Sequence, residues 1–256
     1  MLDGQQRSVW LRVTAGIETL SGLGRSVWNE PAAGSNALRE LLSVFPLTHV
    51  QVDLAALRGR SDPAADWKAV LSRALDWADV LRETAAATAD AVRGRAAWGL
   101  GMPSPAAVAE ELGDSSERGV LKAGLQLAGF LQGFREAGLA FVALDLTSGA
   151  VADKAVAPLL RNAEMYGWRR AVVLGDIAQA GAGAEIRLAT GQDYQTLAGA
   201  WERGELIGGG LDGAFWAGQA LPRPAPARAL LFGAIPASLE AAAIVAAGRA
   251  LREWLG

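Results

Sequence analysis

The chain has 256 residues, of which 51% are hydrophobic, and a formal net charge of −3 at pH 7. This length and apolar content predict a folded protein with a full core and exclude an intrinsically disordered chain. Cysteine is absent, which excludes disulfides and thiolate-bound zinc, and the single histidine, His49, argues against a histidine metal cage.

The charge distribution and the termini narrow the class of protein further. Lysine and arginine are scattered, so we expect no nucleic-acid partner. No apolar run reaches the roughly 18 residues of a membrane span, so we expect no membrane partner. Met1–Trp10 lacks a basic region followed by an apolar core, so a secretory signal is not expected. A cytoplasmic location is the resulting expectation.

Short apolar segments alternate with helical patterns along the whole chain. This alternation predicts a parallel sheet covered by helices, and a count of eight strands favours a closed barrel. The predicted strands are Ser8–Val13, His49–Leu54, Arg95–Gly101, Ala140–Leu144, Ala171–Leu174, Ile186–Ala189, Leu206–Gly210 and Ala229–Phe232. We therefore predict that residues 1–256 form one (β/α)8 TIM barrel in the α/β class.

The helices between these strands carry recognisable start and stop signals. Asp62-Pro63 is typical of a helix start, and Gly94 is expected to end that helical region. Ser115 or Ser116 is expected to start another helix. The segment 176–185 (DIAQAGAGAE) is too short and too rich in glycine for a full crossover helix, so one truncated βα unit is predicted there.

Aspartates follow five of the predicted strands and are the main candidates for a site. They are Asp53, Asp145, Asp176, Asp193 and Asp212. Because the carboxyl ends of parallel strands share one rim, these side chains are expected to form an acidic mouth. Capping and turn formation are the alternative interpretation, above all for Asp176, Asp193 and Asp212.

Other residues near the same rim are candidates for contacts with a ligand. Arg12 lies inside a predicted strand, where a buried guanidinium needs a carboxylate partner or an anionic ligand. Thr147 and Ser148 follow Asp145 and offer hydroxyl groups. Gly209 lies in a run of three glycines that is explained equally well by phosphate binding and by close backbone packing.

The order of loop motifs resembles the uroporphyrinogen decarboxylase family and, more broadly, the superfamily it shares with cobalamin-independent methionine synthase. The family's opening strand, aspartate-closed second strand, Gly-x-Pro loop, Glu-Ala-Gly helix end, Gly-Asn-Leu-Asp turn and last strand are each similar to a segment of this chain. The segments are VWLRVTAG (9–16), HVQVDL (49–54), GLGMPSP (99–105), FREAG (134–138), GGGLDG (208–213) and LFGAIP (231–236).

This resemblance implies a function and assigns residues to it. It implies a divergent family member, a carboxy-lyase that works without a cofactor or metal and binds a small polycarboxylate, tetrapyrrole-like ligand. Asp53 would be catalytic, Arg12 would hold a substrate carboxylate, and Asp145, Thr147, Ser148, Gly209 and Asp212 would complete the binding site for this anionic small molecule. A homodimer is implied as well.

Two other functions stay open. The family's second arginine is replaced near Ile17, and its active-site tyrosine and final-loop histidine have no counterpart. These departures favour a degenerate barrel that binds a ligand or partner without catalysis. The rim aspartates also allow an enzyme with an oxygen-ligated metal, since Mg²⁺ and Ca²⁺ need only oxygen ligands.

Overall fold

Eight parallel strands close into a barrel in which each strand pairs with the next along the chain and the eighth with the first. The structure is a computed structural model that describes residues 7–55, 67–72, 77–147, 153–178, 183–190, 192, 194–223 and 226–256. The strands are β1 (Ser8–Arg12), β2 (His49–Asp53), β3 (Ala97–Met102), β4 (Phe141–Asp145), β5 (Arg169–Leu174), β6 (Ile186–Ala189), β7 (Ile207–Leu211) and β8 (Leu230–Ala234). The predicted (β/α)8 barrel is confirmed.

Helices surround the barrel and join the strands. They are α1 (Thr14–Leu20), α2 (Pro31–Val44), α3 (Trp67–Ser72), α4 (Trp77–Val92), α5 (Pro105–Glu111), α6 (Glu117–Leu131), α7 (Asp153–Met165), α8 (Tyr194–Glu202), α9 (Gly213–Trp216) and α10 (Ala241–Leu255). Two short 3-10 helices cover Gly24–Asn29 and Gln132–Phe134. In the described part of the chain, no helix is long and apolar enough to span a bilayer.

The local signals for helix ends act as the sequence predicted. The Ser116 hydroxyl caps α6 by accepting a hydrogen bond from the Gly119 N–H at 3.1 Å. Gly94, just beyond α4, adopts a φ of +70°, a left-handed conformation that glycine adopts at low cost. The predicted start at Asp62-Pro63 lies outside the described residues.

The fifth βα unit is shortened, as predicted. Between β5 and β6 the described residues, 175–178 and 183–185, contain no helix. The seventh unit is also reduced, because α9 has only four residues and the described residues that follow it, 217–223 and 226–229, contain no helix. Two of the crossovers therefore depart from the regular pattern.

Side chains alternate between the interior of the barrel and the surrounding helical layer. Outward residues such as Val50, Val52 and Leu231 pack in the large core formed with the helices. The inward residues form a second, separate core, which fills the barrel below its mouth. Its members are Trp10, Phe141, Ala143, Ala171, Val173, Ile186, Leu188, Leu230 and Phe232.

His49 faces this interior at the start of β2, away from the mouth. Its ring stacks on Trp10, with centroids 5.0 Å apart and an interplanar angle of 11°, and its Nδ1 lies 2.9 Å from the Thr48 hydroxyl. Burial, reinforced by the positive charge of Arg169, lowers the pKa of His49 to about 4. The imidazole is therefore neutral in the folded protein at neutral pH and has a packing role.

We predict that His49 makes the fold sensitive to acid. Its pKa is about 4 when folded and about 6.5 when unfolded, so the stabilisation is complete above pH 6.5 and is lost as pH falls toward 4. This residue alone should lower the free energy of unfolding by about 2 kcal/mol between pH 7.5 and pH 5. Urea denaturation at both pH values should show a smaller acid penalty in His49→Gln than in the wild type. An equal penalty in both proteins would refute the assignment.

Candidate functional site

Three strand ends bring a guanidinium and two carboxylates together at the carboxyl-terminal mouth of the barrel. Arg12 ends β1, Asp53 ends β2 and Asp145 ends β4. Arg12 Nε lies 3.2 Å from Asp53 Oδ1 and 3.3 Å from Oδ2, while its Nη1 lies 3.0 Å from Asp145 Oδ2. The sequence prediction that these residues share the rim is therefore consistent with their positions in the fold.

Asp53 is held from several sides. Gln51 Nε2 donates to Oδ1 at 3.1 Å, and the Thr14 hydroxyl donates to Oδ2 at 3.2 Å. The same Thr14 hydroxyl accepts a hydrogen bond from the Asp53 backbone N–H at 3.0 Å. Together with Arg12, these donors occupy both carboxylate oxygens, so the position of Asp53 is fixed by its surroundings.

The orientation of Gln51 is set from below by Trp10. The indole N–H of Trp10 donates to Gln51 Oε1 at 3.1 Å, and both side chains are buried. Since the indole nitrogen is only a donor, the amide oxygen must face it and the amide nitrogen must face Asp53. A continuous chain of hydrogen bonds thus joins the packed interior to Arg12 at the mouth.

Asp145 is less constrained than Asp53. Its Oδ1 accepts hydrogen bonds from the Thr147 backbone N–H at 3.1 Å and from the Thr147 hydroxyl at 2.6 Å. Its Oδ2 accepts only from Arg12 in the described structure. The Asp145 side chain is 26% exposed, against 18% for Asp53, so Asp145 is the more accessible of the two carboxylates.

A glycine in β3 provides the space that this arrangement needs. Gly101 pairs in register with Asp53, and a methyl group at Gly101 would overlap Asp53 Oδ1 and Gln51 Nε2. Any larger residue would therefore push the carboxylate away from Arg12. The glycine is explained by close side-chain approach, since its φ is not in the left-handed region.

The electrostatics of the cluster keep Arg12 charged. Burial works against the charged form, but Asp53 and Asp145 outweigh it and raise the pKa of Arg12 above its ordinary value. One guanidinium and two carboxylates give the cluster a net charge of −1. Among the described residues, this cluster is therefore not a simple cationic site for anions.

Gly209 and Asp212, which the sequence also predicted for the site, have structural roles in the described part of the chain. Gly209 faces outward, where a methyl group would come within 2.8 Å of Leu197 on α8, so it is not brought to the cluster. The Asp212 carboxylate caps α9 by accepting from the Ala214 and Phe215 N–H groups at 3.0 and 3.1 Å. Ser148 lies outside the described residues.

Two further aspartates, Asp176 and Asp193, are candidates for the acidic mouth on the basis of the sequence. Asp176 accepts a hydrogen bond from the Ala178 N–H at 2.9 Å, which is the turn-forming role that the alternative interpretation gave it. Asp193 is outside the described residues. The full acidic mouth therefore reduces, in the described structure, to the pair around Arg12.

Sequence reasoning missed Thr14, Gln51, Trp10 and Gly101. Gln51 alone had a usable signal, because a polar residue two positions before Asp53 in a strand must share its inward face. Thr14 and Gly101 lie on other strands or their extensions, and their partnership with Asp53 depends on barrel register. Nothing local in the sequence identifies them.

The described residues contain no group of three or more Asp, Glu or His side chains that could hold a metal ion. A cavity of about 460 Å³ lies outside the barrel between α9, the described segment after it and α10. It shares no lining residue with the charged cluster, so cavity size and charged chemistry point to different places. We place the candidate site at the cluster, because barrel ligands bind at the carboxyl-terminal mouth.

The sequence matches no known protein-family profile and no curated protein. The fold is similar to 2,3-dimethylmalate lyase, a PEP mutase/isocitrate lyase superfamily member, with a TM-score of 0.51 and 10% identity over 98% of this chain and 82% of that one. Oxaloacetate acetylhydrolase gives a TM-score of 0.49 and 10% identity, over 92% of this chain and 77% of that one. The carboxyl transferase domain of Rhizobium etli pyruvate carboxylase gives a TM-score of 0.47 and 10% identity, over 99% of this chain and 48% of that one.

At 10% identity, the similarity to 2,3-dimethylmalate lyase shows a shared barrel fold. The expected membership of the uroporphyrinogen decarboxylase superfamily is wrong, because no profile of that family matches and this structural neighbour is a member of the PEP mutase/isocitrate lyase superfamily. The predicted carboxy-lyase activity of that family and its tetrapyrrole-like ligand are wrong with it. The motifs misled because a strand closed by aspartate or followed by a glycine loop arises in parallel barrels of many kinds.

We predict that Gly101→Ala destabilises the protein by about 1–3 kcal/mol, because the added methyl group displaces Asp53 and Gln51. Gly129→Ala is the matched control. Gly129 is exposed on α6 and a methyl group there meets nothing within 4 Å, so helix propensity should stabilise the fold by about 0.5–1 kcal/mol. Urea denaturation measures both changes, and a neutral Gly101→Ala would show that Asp53 is not held against β3.

We also predict strong coupling between Arg12 and Asp53. A double-mutant cycle with Arg12→Met and Asp53→Asn should give about 1–3 kcal/mol, because both side chains are mostly shielded from water. The exposed pair of Arg39 and Asp90, 3.0 Å apart with side chains 45% and 52% exposed, should give less than about 1 kcal/mol in the same cycle. Equal coupling in the two pairs would contradict the central role of Arg12.

Proposed function

We propose that this protein binds a small hydroxy acid at the mouth of its barrel, with Arg12 holding the carboxylate and Asp145 accepting the hydroxyl proton. The observation that carries this proposal is the unused donor of Arg12. Its Nε and Nη1 are held by Asp53 and Asp145, whereas no described protein group accepts from Nη2. Nη2 is not among the buried unpartnered atoms either, so it is open to a ligand.

The charge balance favours a hydroxy acid over a bare anion. Since the cluster carries a net charge of −1, an inorganic anion gains little from it. A hydroxy acid supplies an acceptor for Arg12 Nη2 and also a donor for Asp145. The ligand carboxylate then accepts a charge-assisted hydrogen bond from Arg12, and the ligand hydroxyl donates one to Asp145.

The two aspartates have different roles in this proposal. Asp53 is saturated by donors from the protein, so we assign it as a positioning residue that fixes the guanidinium. Asp145 is more exposed and its Oδ2 has one protein donor, so it is the carboxylate that faces the ligand. This differs from the catalytic role that the sequence suggested for Asp53.

The reaction that we propose for this site is of the lyase type. Asp145 takes the hydroxyl proton, a carbonyl forms at that carbon, and the adjacent carbon–carbon bond breaks. The electron pair stays on the departing carbon and is delocalised into the ligand carboxylate bonded to that carbon. Asp145 then returns the proton to the departing carbon. The neighbour 2,3-dimethylmalate lyase shares the fold and is named for a hydroxy acid, which supports this choice of substrate class.

The test compares malate with succinate, which lacks only the hydroxyl group. Calorimetry should show malate binding at least about tenfold more tightly, because succinate leaves Asp145 without its donor. Asp145→Asn should erase this difference, and Arg12→Lys should weaken binding of malate, since lysine cannot reproduce the fixed fork of donors. The exposed Arg39→Lys is the control and should bind as the wild type does.

Several results would overturn the proposal. Equal affinity for malate and succinate would remove the role of Asp145. Binding that appears only after a divalent cation is added would replace direct contact by a metal site. No binding of either acid would reject this ligand class. Turnover is measured separately, as release of a carbonyl product from malate, and should be lost in Asp145→Asn.

A further inference from the structure

The mouth of the barrel is chemically divided into two halves. On the side of β1, β2 and β4 it presents the charged cluster of Arg12, Asp53 and Asp145. On the other side, among the described residues, the small residues Gly175, Gly210 and Ala234 lie at or next to the ends of β5, β7 and β8.

Ala234 ends β8 directly beside Arg12. The two residues pair in register, and the Ile235 N–H continues the pairing by donating to the Arg12 carbonyl at 3.1 Å. Leu230 and Phe232 belong to the inner core, while Leu231 and Ile235 belong to the outer one. By this alternation Ala234 faces inward, and it is the one exposed residue of an otherwise buried strand. The space beside Arg12 is therefore open.

The ends of β7 and β5 place glycines on the same side of the mouth. Gly210 has a φ of +87°, so a methyl group on it would point to Leu197 and Leu231 in the outer layer instead of to the mouth. Gly175 follows Val173, an inner-core residue, at inward spacing. It is exposed, and a methyl group there would meet only the Thr147 carbonyl, at 3.8 Å. The described strand ends therefore leave room for several ligand atoms.

We infer that Ala234 is a specificity-determining residue, which admits hydroxy acids with an alkyl substituent into the space beside Arg12. This inference rests on the proposed function, since Arg12 and Asp145 must first hold the hydroxy-acid head. The bound head then directs the rest of the ligand toward the uncharged half of the mouth. An apolar substituent fits there because Ala234 and the glycines offer no polar side chain that it would desolvate.

The probes are malate and 2-isopropylmalate, which carries three additional carbons. In the wild type, calorimetry should show 2-isopropylmalate binding at least about tenfold more tightly than malate, as apolar contacts of this size provide. Ala234→Leu fills the space, so the ratio of the two affinities should fall at least about tenfold. Ala234→Val should give an intermediate ratio, and its shape suits the end of a strand.

Controls separate this inference from the proposed function. Ala242→Leu on the exposed start of α10 should leave the ratio unchanged. Malate binding that depends on Arg12 and Asp145, with the same ratio in wild type and both Ala234 variants, would overturn the role of Ala234 and leave the proposed function standing. Failure of the wild type to bind either acid would overturn both. Melting temperatures of the Ala234 variants should match the wild type, because the position is exposed.

Discussion

The charge of Arg12 inside the mouth of the barrel is the constraint on which the site depends. A guanidinium on an inward strand position is costly unless carboxylates surround it, and Asp53 and Asp145 meet this need at 3.0–3.3 Å. Asp53 must in turn be oriented by Thr14 and Gln51, and Gln51 by the indole of Trp10. One buried charge thus links the packed interior to the surface where a ligand would bind.

Small residues at the mouth of the barrel determine where side chains fit around the charged cluster. Gly101 is required because Asp53 and Gln51 occupy the volume that a side chain would fill. On the other half of the mouth, Gly175 and Ala234 are exposed and Gly210 has no side chain, so among the described residues this part of the rim is accessible. The same small residue types therefore serve opposite purposes. Gly101 accommodates the protein's own polar network, whereas the small residues of the other half leave an accessible surface beside it.

The local pattern of the sequence was sufficient for the architecture. Eight predicted strands match the observed ones to within about two residues at each end, because buried parallel strands are short apolar runs bounded by helices. The shortened unit at 176–185 was visible because the segment is too short and too rich in glycine for a full crossover helix. Arg12, Asp53 and Asp145 were also accessible to this reasoning, since strand ends of a parallel barrel must share one rim. The family resemblance failed because it rested on short motifs that the fold itself produces.

What the sequence by itself determined is therefore the barrel, the ends of its strands and the polar residues found there. The tertiary structure decided which of those residues meet. Arg12 and Asp145 are 133 positions apart, and their contact depends on barrel closure and register. Strand pairing also gave Asp53 its donor from Thr14 and placed Gly209 against Leu197 on the outer face. The physical reason is that propensity and hydrophobic periodicity act over a few neighbouring residues, whereas hydrogen-bond partners and free volume depend on strand pairing around the whole barrel.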